Sequence, residues 1–258
     1  MRNRYVTLLY LTFRNLNWFE WLLIGAIMAL SVTSFIIKGE VTVNSSIAAV
    51  SAILGVFCVV LGAKGSMANW IFGIVECFLY MYISFSEHIY GDALQRLFYT
   101  LPMQFLGWHW WSQRKRRKNT DQIQTRWMTW KARGSYLVLI AVMTVVFAQF
   151  LKYAGPYLAE FFQTLHIRSF RGDYVNEGQL WLDATTTVLA IVTTFISTRA
   201  YVEQWYLWLF INIFSISIWW MNDSEFSFMT VSKYSIYLVN TFYGIYMWTK
   251  LAKPEETE

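Results

Sequence analysis

The chain has 258 residues, of which 56% are hydrophobic and 14% charged, with 3 prolines and a formal net charge of +5. Soluble domains carry about 25% charged residues, and here the charges lie between apolar stretches of about 20 residues, long enough to cross a bilayer. This excludes collagen-like, disordered, coiled-coil and disulfide-stapled proteins. The 2 cysteines, Cys58 and Cys77, lie in apolar runs, so we expect them to pack rather than to pair.

Eight candidate membrane spans follow one another along the chain. Their centres lie near Ile27, Ile53, Phe78, Leu101, Val142, Leu189, Ile213 and Leu238. The first span runs from Phe19 to Ile37 and lacks a cleavage pattern after Lys38, so we expect it to remain as a peripheral anchor or oligomer contact. No alternating strand pattern of a membrane barrel is visible. The sequence therefore predicts an all-α integral membrane protein.

The basic residues orient these spans. Eight crossings place both termini on one side, and fifteen of the 21 Lys and Arg residues lie on that side against four on the other. The excess predicts that both termini and the basic run Arg114–Lys118 lie in the cytoplasm. Because this run begins three residues after Trp111, close to Trp110 and Trp111, we interpret it as an anchor for membrane lipid headgroups, and we expect no nucleic acid partner.

An internal repeat relates the two halves of the chain. Three residue pairs are separated by 135 positions and two by 137, namely Lys64 and Arg199, Trp70 and Trp205, Tyr99 and Tyr234, Gly107 and Gly244, and Trp111 and Trp248. Their conserved order predicts two copies of a three-helix unit. A unit with three crossings would place a direct tandem copy upside down in the membrane. The fifth span, between the two copies, restores the same orientation, as in transporters with parallel repeats. A channel of this design is the alternative.

The predicted fold is therefore an arrangement of one, three, one and three helices. It divides the chain into an extra helix (1–40), a first three-helix bundle (41–112), a basic loop (113–133), a linker helix with an external loop (134–177), a second bundle (178–251) and a tail (252–258).

Polar residues inside the spans are costly in lipid and therefore mark candidate pathway positions. These residues are Asn69, Glu76, Gln95, Arg96, Gln104, Asp183, Asn212, Lys233 and Asn240. Helical spacing groups several of them with aromatic residues on common faces, namely Gln95 with Tyr99 and Gln104, Trp205 with Trp208 and Asn212, and Lys233 with Tyr237 and Asn240. Such faces suit a ligand with a flat ring and hydroxyl groups, and a positive ring gains about 0.5–2 kcal/mol of cation–π energy.

Each of these residue types also has a structural explanation. Tryptophans at the membrane interfaces form belts, which is the interpretation we favour for Trp18, Trp21, Trp110, Trp111, Trp219, Trp220 and Trp248. Buried amides can join helices rather than contact a ligand. Arg96 can snorkel or pair with Asp92, whereas Glu76 and Lys233 are expected to line a polar cavity, because a charge that faces lipid costs more.

The chain has no pattern of catalytic or metal-binding residues. His88, His109 and His166 lack metal-ligand spacing, and there is no nucleotide-binding glycine loop. The intramembrane charges are spread over different spans, whereas an enzyme would gather titratable groups at one site. We therefore expect neither an enzyme nor a cofactor, and a scaffold would not need two matched bundles.

Four segments resemble the PnuC family of nicotinamide riboside transporters. The most specific is Thr198–Asn212, which resembles the family's T-R-x-Y-V-E-x-W-x-x-W-x-x-x-N stretch. Trp181-Leu182-Asp183 is similar to its W-D segment, Asn69–Gly73 to its N-Y/W-x-x-G and Gly107–Trp111 to its G-W-x-x-W. The resemblance extends over residues 45–250.

The resemblance implies a fold like that of a full-length SWEET transporter, located in a bacterial inner membrane and assembled as a homotrimer. It also implies facilitated diffusion of nicotinamide riboside, a vitamin B3 form used in NAD biosynthesis, which a separate cytosolic kinase traps by phosphorylation. We hypothesise that Asn212, Gln104 and Asn240 hydrogen-bond this ligand while Trp181, Trp208 and Tyr99 frame its ring. The further candidates are Trp205, Asp183, Lys233 and Asn69. The runner-up is a related carrier of riboflavin, thiamine or deoxynucleosides.

Overall fold

The computed structural model describes residues 13–38, 43–86, 95–118, 123–164, 177–220 and 227–252. These residues form eight long helices: α1 (Trp18–Lys38), α2 (Val43–Ala63), α3 (Ala68–Ser86), α4 (a π-helical turn Arg96–Thr100 continued by Leu101–Lys118), α5 (Trp130–Thr164), α6 (Glu177–Thr198), α7 (Gln204–Trp220) and α8 (Ser227–Leu251). Every predicted span centre lies in one of them, and α1 differs from its predicted bounds by one residue at each end. The all-helical prediction is confirmed.

Apolar side chains on the outside of the molecule suit a lipid environment. Two described helical stretches are long and apolar enough to cross a membrane by length and composition, Trp130–Ala154 in α5 and Leu180–Thr198 in α6, while Trp18–Thr33 and Ala49–Ala63 are shorter apolar stretches. Only 17% of the most apolar window of α5 is buried. A soluble protein rarely exposes so continuous an apolar surface.

Six of the helices pack in a closed ring. Along it, α2 contacts α3, α3 contacts α4, α4 contacts α6, α6 contacts α7, α7 contacts α8, and α8 returns to α2. Helix α5 packs on α6, and α1 packs on α2 and α8. The ring therefore has two junctions between helices distant in sequence, α4 with α6 and α8 with α2.

Helices α2 and α6 end in the same type of turn. The N–H of Gly65 donates to Gly62 O, and the N–H of Ala200 donates to Ser197 O. In each case the next residue donates to the carbonyl five positions earlier, which completes a Schellman motif. Gly65 has a φ of 70° and Ala200 a φ of 58°, so alanine occupies a left-handed position that normally favours glycine.

The segment before α5, residues 123–129, crosses the end of the ring at which these two turns lie. The N–H of Ile123 donates to Gly65 O in one turn, and the N–H of Arg126 donates to Ala200 O in the other. The Thr125 hydroxyl donates to Trp248 O over 2.9 Å, at the end of α8. This strap, as we call residues 123–129, therefore links both turns and the last helix.

Helix α1 is attached to the ring by a buried charge. Asn17 and Glu20 form a reciprocal capping box, with each side chain accepting a bond from the other's backbone N–H. Glu20 is 0% exposed, pairs with the Lys64 ammonium over 2.8 Å and accepts a bond from the Tyr243 hydroxyl over 2.7 Å. Lys64 also donates to the carbonyl of Asn15. Because a buried charge needs such partners, α1 is bound to both α2 and α8.

Candidate functional site

Four indoles close one end of the ring, which we call the tryptophan end. Trp70 and Trp111 meet edge to face with ring centroids 5.1 Å apart, and Trp205 and Trp248 do so at 5.8 Å. Trp111 and Trp248 are 5.7 Å apart. Since they belong to α4 and α8, which are not neighbours, this contact spans the interior of the ring.

Two glycines allow the indoles to pack against backbone. A Cβ atom at Gly107 would lie 2.2 Å from the Trp70 ring, and one at Gly244 would lie 2.5 Å from the Trp205 ring. Both distances are shorter than any normal carbon contact, so only glycine fits at either position. Trp205, predicted as a ligand residue, is thus buried within this cluster.

The two indoles at the centre of the cluster also form hydrogen bonds across the two ring junctions, α4 with α6 and α8 with α2. The Trp111 Nε1–H donates to Ser197 O over 3.2 Å, which ties α4 to α6. The Trp248 Nε1–H donates to Gly62 O over 2.9 Å, which ties α8 to α2. Both side chains are almost fully buried. Our interpretation of Trp111 and Trp248 as belt residues was therefore wrong, because they pack inside the ring.

Buried amides line α3, α4, α7 and α8. Asn212 is 2% exposed, and its Nδ2 donates to Thr241 Oγ1 over 3.0 Å. Asn240 Nδ2 donates to Val59 O over 3.0 Å, across the α8 and α2 junction. The side-chain oxygens of Asn69, Gln104, Asn212 and Asn240 are buried and have no hydrogen-bond partner within the described part of the chain.

These four oxygens are buried acceptors without partners, and they belong to four of the six ring helices. A buried acceptor without a partner costs about 1–3 kcal/mol, so a native structure rarely keeps several without a reason. Each oxygen can accept a hydrogen bond from a hydroxyl or an amide N–H of a ligand. The Gln104 amide lies directly against Gly73, where a Cβ would be 2.6 Å from Oε1. The glycine thus makes room for this amide between α3 and α4.

A charged cluster lies toward the opposite end of the ring. The Arg96 guanidinium on α4 is 3.4 Å from the Glu76 carboxylate on α3 and 3.7 Å from the centroid of the Tyr80 ring. The Lys233 ammonium on α8 lies 5.0 Å from the centroid of the same tyrosine ring. The predicted partner of Arg96, Asp92, lies outside the described residues. Glu76 and Lys233 thus contact other side chains, and the expectation that they line a polar cavity stays a prediction.

The other predicted ligand residues lie in three different places. The Tyr99 hydroxyl donates to Ile191 O, which joins α4 to α6. Trp208 is half-buried and packs against the indole cluster. Trp181 is 38% exposed near the start of α6, and Asp183 is half-buried two residues later.

Sequence reasoning missed Thr241, Gly73 and the packing role of the two repeat glycines. The regular offset of Gly107 and Gly244 was the available signal for that packing. Thr241 carried no signal, because a hydroxyl on a helix commonly bonds only to its own backbone.

Comparison with known proteins identifies the family. A family model described as nicotinamide mononucleotide transporter matches residues 45–250. A nicotinamide riboside transporter PnuC of Neisseria mucosa is 31% identical over 218 residues, which cover 81% of this chain and 74% of that protein. The chain belongs to the PnuC family of transporters.

A solved structure and a more distant sequence relative extend the comparison. A crystal structure of the vitamin B3 transporter PnuC superimposes with a TM-score of 0.63 at 26% identity, covering 92% of this chain and 93% of that one. A riboflavin/roseoflavin transporter RibM of Streptomyces davaonensis is 25% identical over 199 residues, 77% of this chain and 82% of that protein. The chain is therefore similar to transporters that are named for two different ring compounds, nicotinamide riboside and riboflavin.

Proposed function

We propose that this protein transports nicotinamide riboside through the interior of its six-helix ring. The observation that carries the proposal is the set of buried amide oxygens without partners, which lies in a ring with side chains packed across it at both ends. Nicotinamide riboside offers amide N–H and ribose hydroxyl donors together with a flat pyridinium ring. The names of the relatives support the same cargo.

The contacts of each amide suggest its role. Asn212, Gln104 and Asn240 hydrogen-bond the ligand, because each keeps a buried oxygen free to accept. Trp208, half-buried beside the indole cluster, supplies a face for the ring. The Asn240 Nδ2 and the Tyr99 hydroxyl also bond to backbone carbonyls across the two junctions, and these bonds hold both side chains in place at the walls of the site.

We also propose that the ring consists of two parallel three-helix bundles, α2–α4 and α6–α8, with α5 as linker and α1 as addition. The matched Schellman turns, the matched glycine–tryptophan contacts and the two indole bonds across the junctions support this division. Movement of one bundle against the other would break both indole bonds and open the tryptophan end.

The proposed setting is a bacterial inner membrane, with both termini and the tryptophan end in the cytoplasm and three copies per assembly. Uptake is facilitated diffusion, and cytosolic phosphorylation of the cargo retains it. The excess of basic residues at the tryptophan end supports the orientation.

The site is tested by titrating purified protein with nicotinamide riboside. Gln104→Ala and Asn212→Ala should each weaken binding about tenfold, since one lost hydrogen bond is worth about 1.4 kcal/mol. Gln149→Ala is the matched control, because Gln149 is exposed on α5. Unchanged affinity in both site variants would remove these residues from the binding site.

The transport mode is tested in sealed vesicles. Labelled nicotinamide riboside should reach equal concentrations on both sides, and an imposed proton or sodium gradient should not change that end point. Accumulation driven by either gradient contradicts facilitated diffusion.

Riboflavin is the second candidate cargo. The similarity to RibM favours it, and its ring carries no positive charge to be repelled by Lys233 and Arg96. Competition decides between the two: displacement of bound nicotinamide riboside by low riboflavin concentrations would support the flavin.

A further inference from the structure

The Asn212 amide is held in one orientation by its partner on α8. Its Nδ2 donates to the Thr241 hydroxyl oxygen over 3.0 Å, and that hydroxyl lies 2.8 Å from the backbone carbonyl oxygen of Tyr237. A carbonyl oxygen can only accept, so the single hydroxyl proton of Thr241 goes to Tyr237 O. The hydroxyl oxygen can therefore only accept from Asn212. This fixes the NH2 group of the amide toward α8 and its oxygen away from Thr241.

The reverse orientation of this amide is unfavourable because both residues are buried. Asn212 and Thr241 are each 2% exposed, and α7 and α8 are neighbours in the ring. Turning the amide over would place its oxygen against the Thr241 oxygen, with no proton between the two atoms. Burying polar atoms without a hydrogen bond costs free energy, so Oδ1 stays directed away from Thr241. Among the described residues, Asn212 Oδ1 has no hydrogen-bond partner.

A second amide is oriented by the same principle. Asn240 Nδ2 donates to Val59 O over 3.0 Å, and this backbone carbonyl can also only accept. The Asn240 oxygen is likewise buried, with no partner in the described part of the chain. Both amides therefore offer a ligand an acceptor rather than a donor.

The Asn212 oxygen lies beside the proposed position of the ligand ring. Trp208, the ring face in the proposed function, lies four residues before Asn212, and residues at this spacing share one face of a helix. The buried, unpartnered donors of Gln204 and Trp205 lie at the start of α7, about 10–12 Å from Asn212 along the helix. A substituent on a ring that packs on Trp208 would therefore meet an acceptor at Asn212. A carboxamide supplies an N–H donor to this oxygen, whereas a substituent with acceptors alone leaves it without a partner.

We infer that Thr241 is a positioning residue that makes Asn212 a hydrogen-bond acceptor and so selects pyridine ribosides whose ring bears a carboxamide. The inference rests on the proposed function, since it assumes a pyridine riboside held by Trp208 and Asn212. Thr241 does not itself touch the ligand. It decides which end of the Asn212 amide the ligand meets.

The test compares nicotinamide riboside with its methyl-ketone analogue, in which a methyl group replaces the NH2 group of the carboxamide. The two ligands have the same charge and nearly the same shape, so the charged residues of the protein affect both alike. The unmodified protein should bind the carboxamide about tenfold more tightly, the contribution of one hydrogen bond. In Thr241→Val the Asn212 amide loses its acceptor and can turn its NH2 group to the ketone oxygen. The preference should then fall to about twofold or less.

Three further variants show whether Thr241 acts through Asn212. Thr241→Ser keeps the hydroxyl and should keep the preference. Asn212→Ala should abolish the preference, and adding Thr241→Val to it should change nothing further. Thr33→Val is the matched control, because Thr33 also bonds to the carbonyl four residues earlier, Ala29 O over 2.9 Å, but lies exposed on α1. It should leave the preference unchanged.

The outcomes separate this inference from the proposed function. If the unmodified protein binds neither riboside, the proposed function fails and the inference fails with it. If nicotinamide riboside binds but the unmodified protein shows no preference, or Thr241→Val keeps it, only the inference is overturned. An equal loss of affinity for both ligands in Thr241→Val also overturns it, because Thr241 would then serve packing alone. If Thr241→Val does not fold, a preference retained by Asn212→Ala or lost by Thr241→Ser overturns the inference.

Discussion

Replacing Gly107 with alanine tests the packing at the tryptophan end. The new Cβ would lie 2.2, 2.4 and 2.5 Å from three carbons of the Trp70 ring. This ring is buried and meets Trp111 edge to face, so it cannot turn aside without displacing a second indole. Overpacking of this kind costs about 1–3 kcal/mol.

Gly134→Ala supplies the matched control. Gly134 lies in α5, and a Cβ there would meet nothing within 4 Å. Alanine is favoured over glycine in a helix by about 1 kcal/mol, so this variant should be slightly stabilised. Both variants replace glycine with alanine inside a helix, so the change in helix propensity is the same. The difference between their stabilities therefore isolates the steric cost at Gly107.

The assay is thermal unfolding of purified protein in detergent, followed by tryptophan fluorescence. One kcal/mol shifts the midpoint of a chain of this length by about 2–4 °C, so Gly107→Ala should melt about 2–12 °C below Gly134→Ala. Gly244→Ala should behave like Gly107→Ala, because its Cβ would lie 2.5 Å from Trp205. If Gly107→Ala and Gly134→Ala unfold at the same temperature, the close packing described at this end is incorrect.

Three other changes test the turns, the buried charge and the strap. Gly65→Ala should lower the free energy of unfolding by about 1–2 kcal/mol, because alanine is strained at this left-handed position. Ala200→Gly should not lower it, because glycine adopts the left-handed conformation without strain. Equal shifts in the thermal midpoint of the two variants would contradict this. Lys64→Met should cost about 3–5 kcal/mol by leaving the Glu20 carboxylate buried without its cation, and adding Glu20→Leu should recover most of the loss rather than deepen it. Thr125→Val removes a hydroxyl donor worth about 1 kcal/mol and should speed hydrogen exchange in residues 123–129, with unchanged exchange as the contrary result.

The helices were predictable because they depend on local composition. Apolar length and the absence of strand alternation suffice to place a span, and the bounds of α1 agree within one residue. The amides could also be found, because a polar residue inside an apolar span is unusual wherever it lies. The fold, however, decides that each of four amides keeps a buried oxygen without a partner, namely Asn69, Gln104, Asn212 and Asn240.

The surroundings that a side chain faces were harder to predict than its position within an apolar span. Tryptophan suits both a membrane interface and a packed interior, so residue type did not distinguish exposed Trp18 from buried Trp248. The ion pair of Glu20 with Lys64 joins residues 44 positions apart, and no local pattern indicated it. The same is true of the strap, whose residues are ordinary in sequence and bind three separate helix ends.

By itself, the sequence determined that the chain is helical, apolar and a relative of PnuC transporters, because composition and motif similarity are properties of the linear chain. Only the tertiary structure decided which side chains face the interior of the ring and which atoms they meet there. A helix turns every residue through a fixed angle, but packing against other helices decides which face is covered. The indole cluster, the unpaired amides and the ammonium of Lys233 are therefore features of the fold.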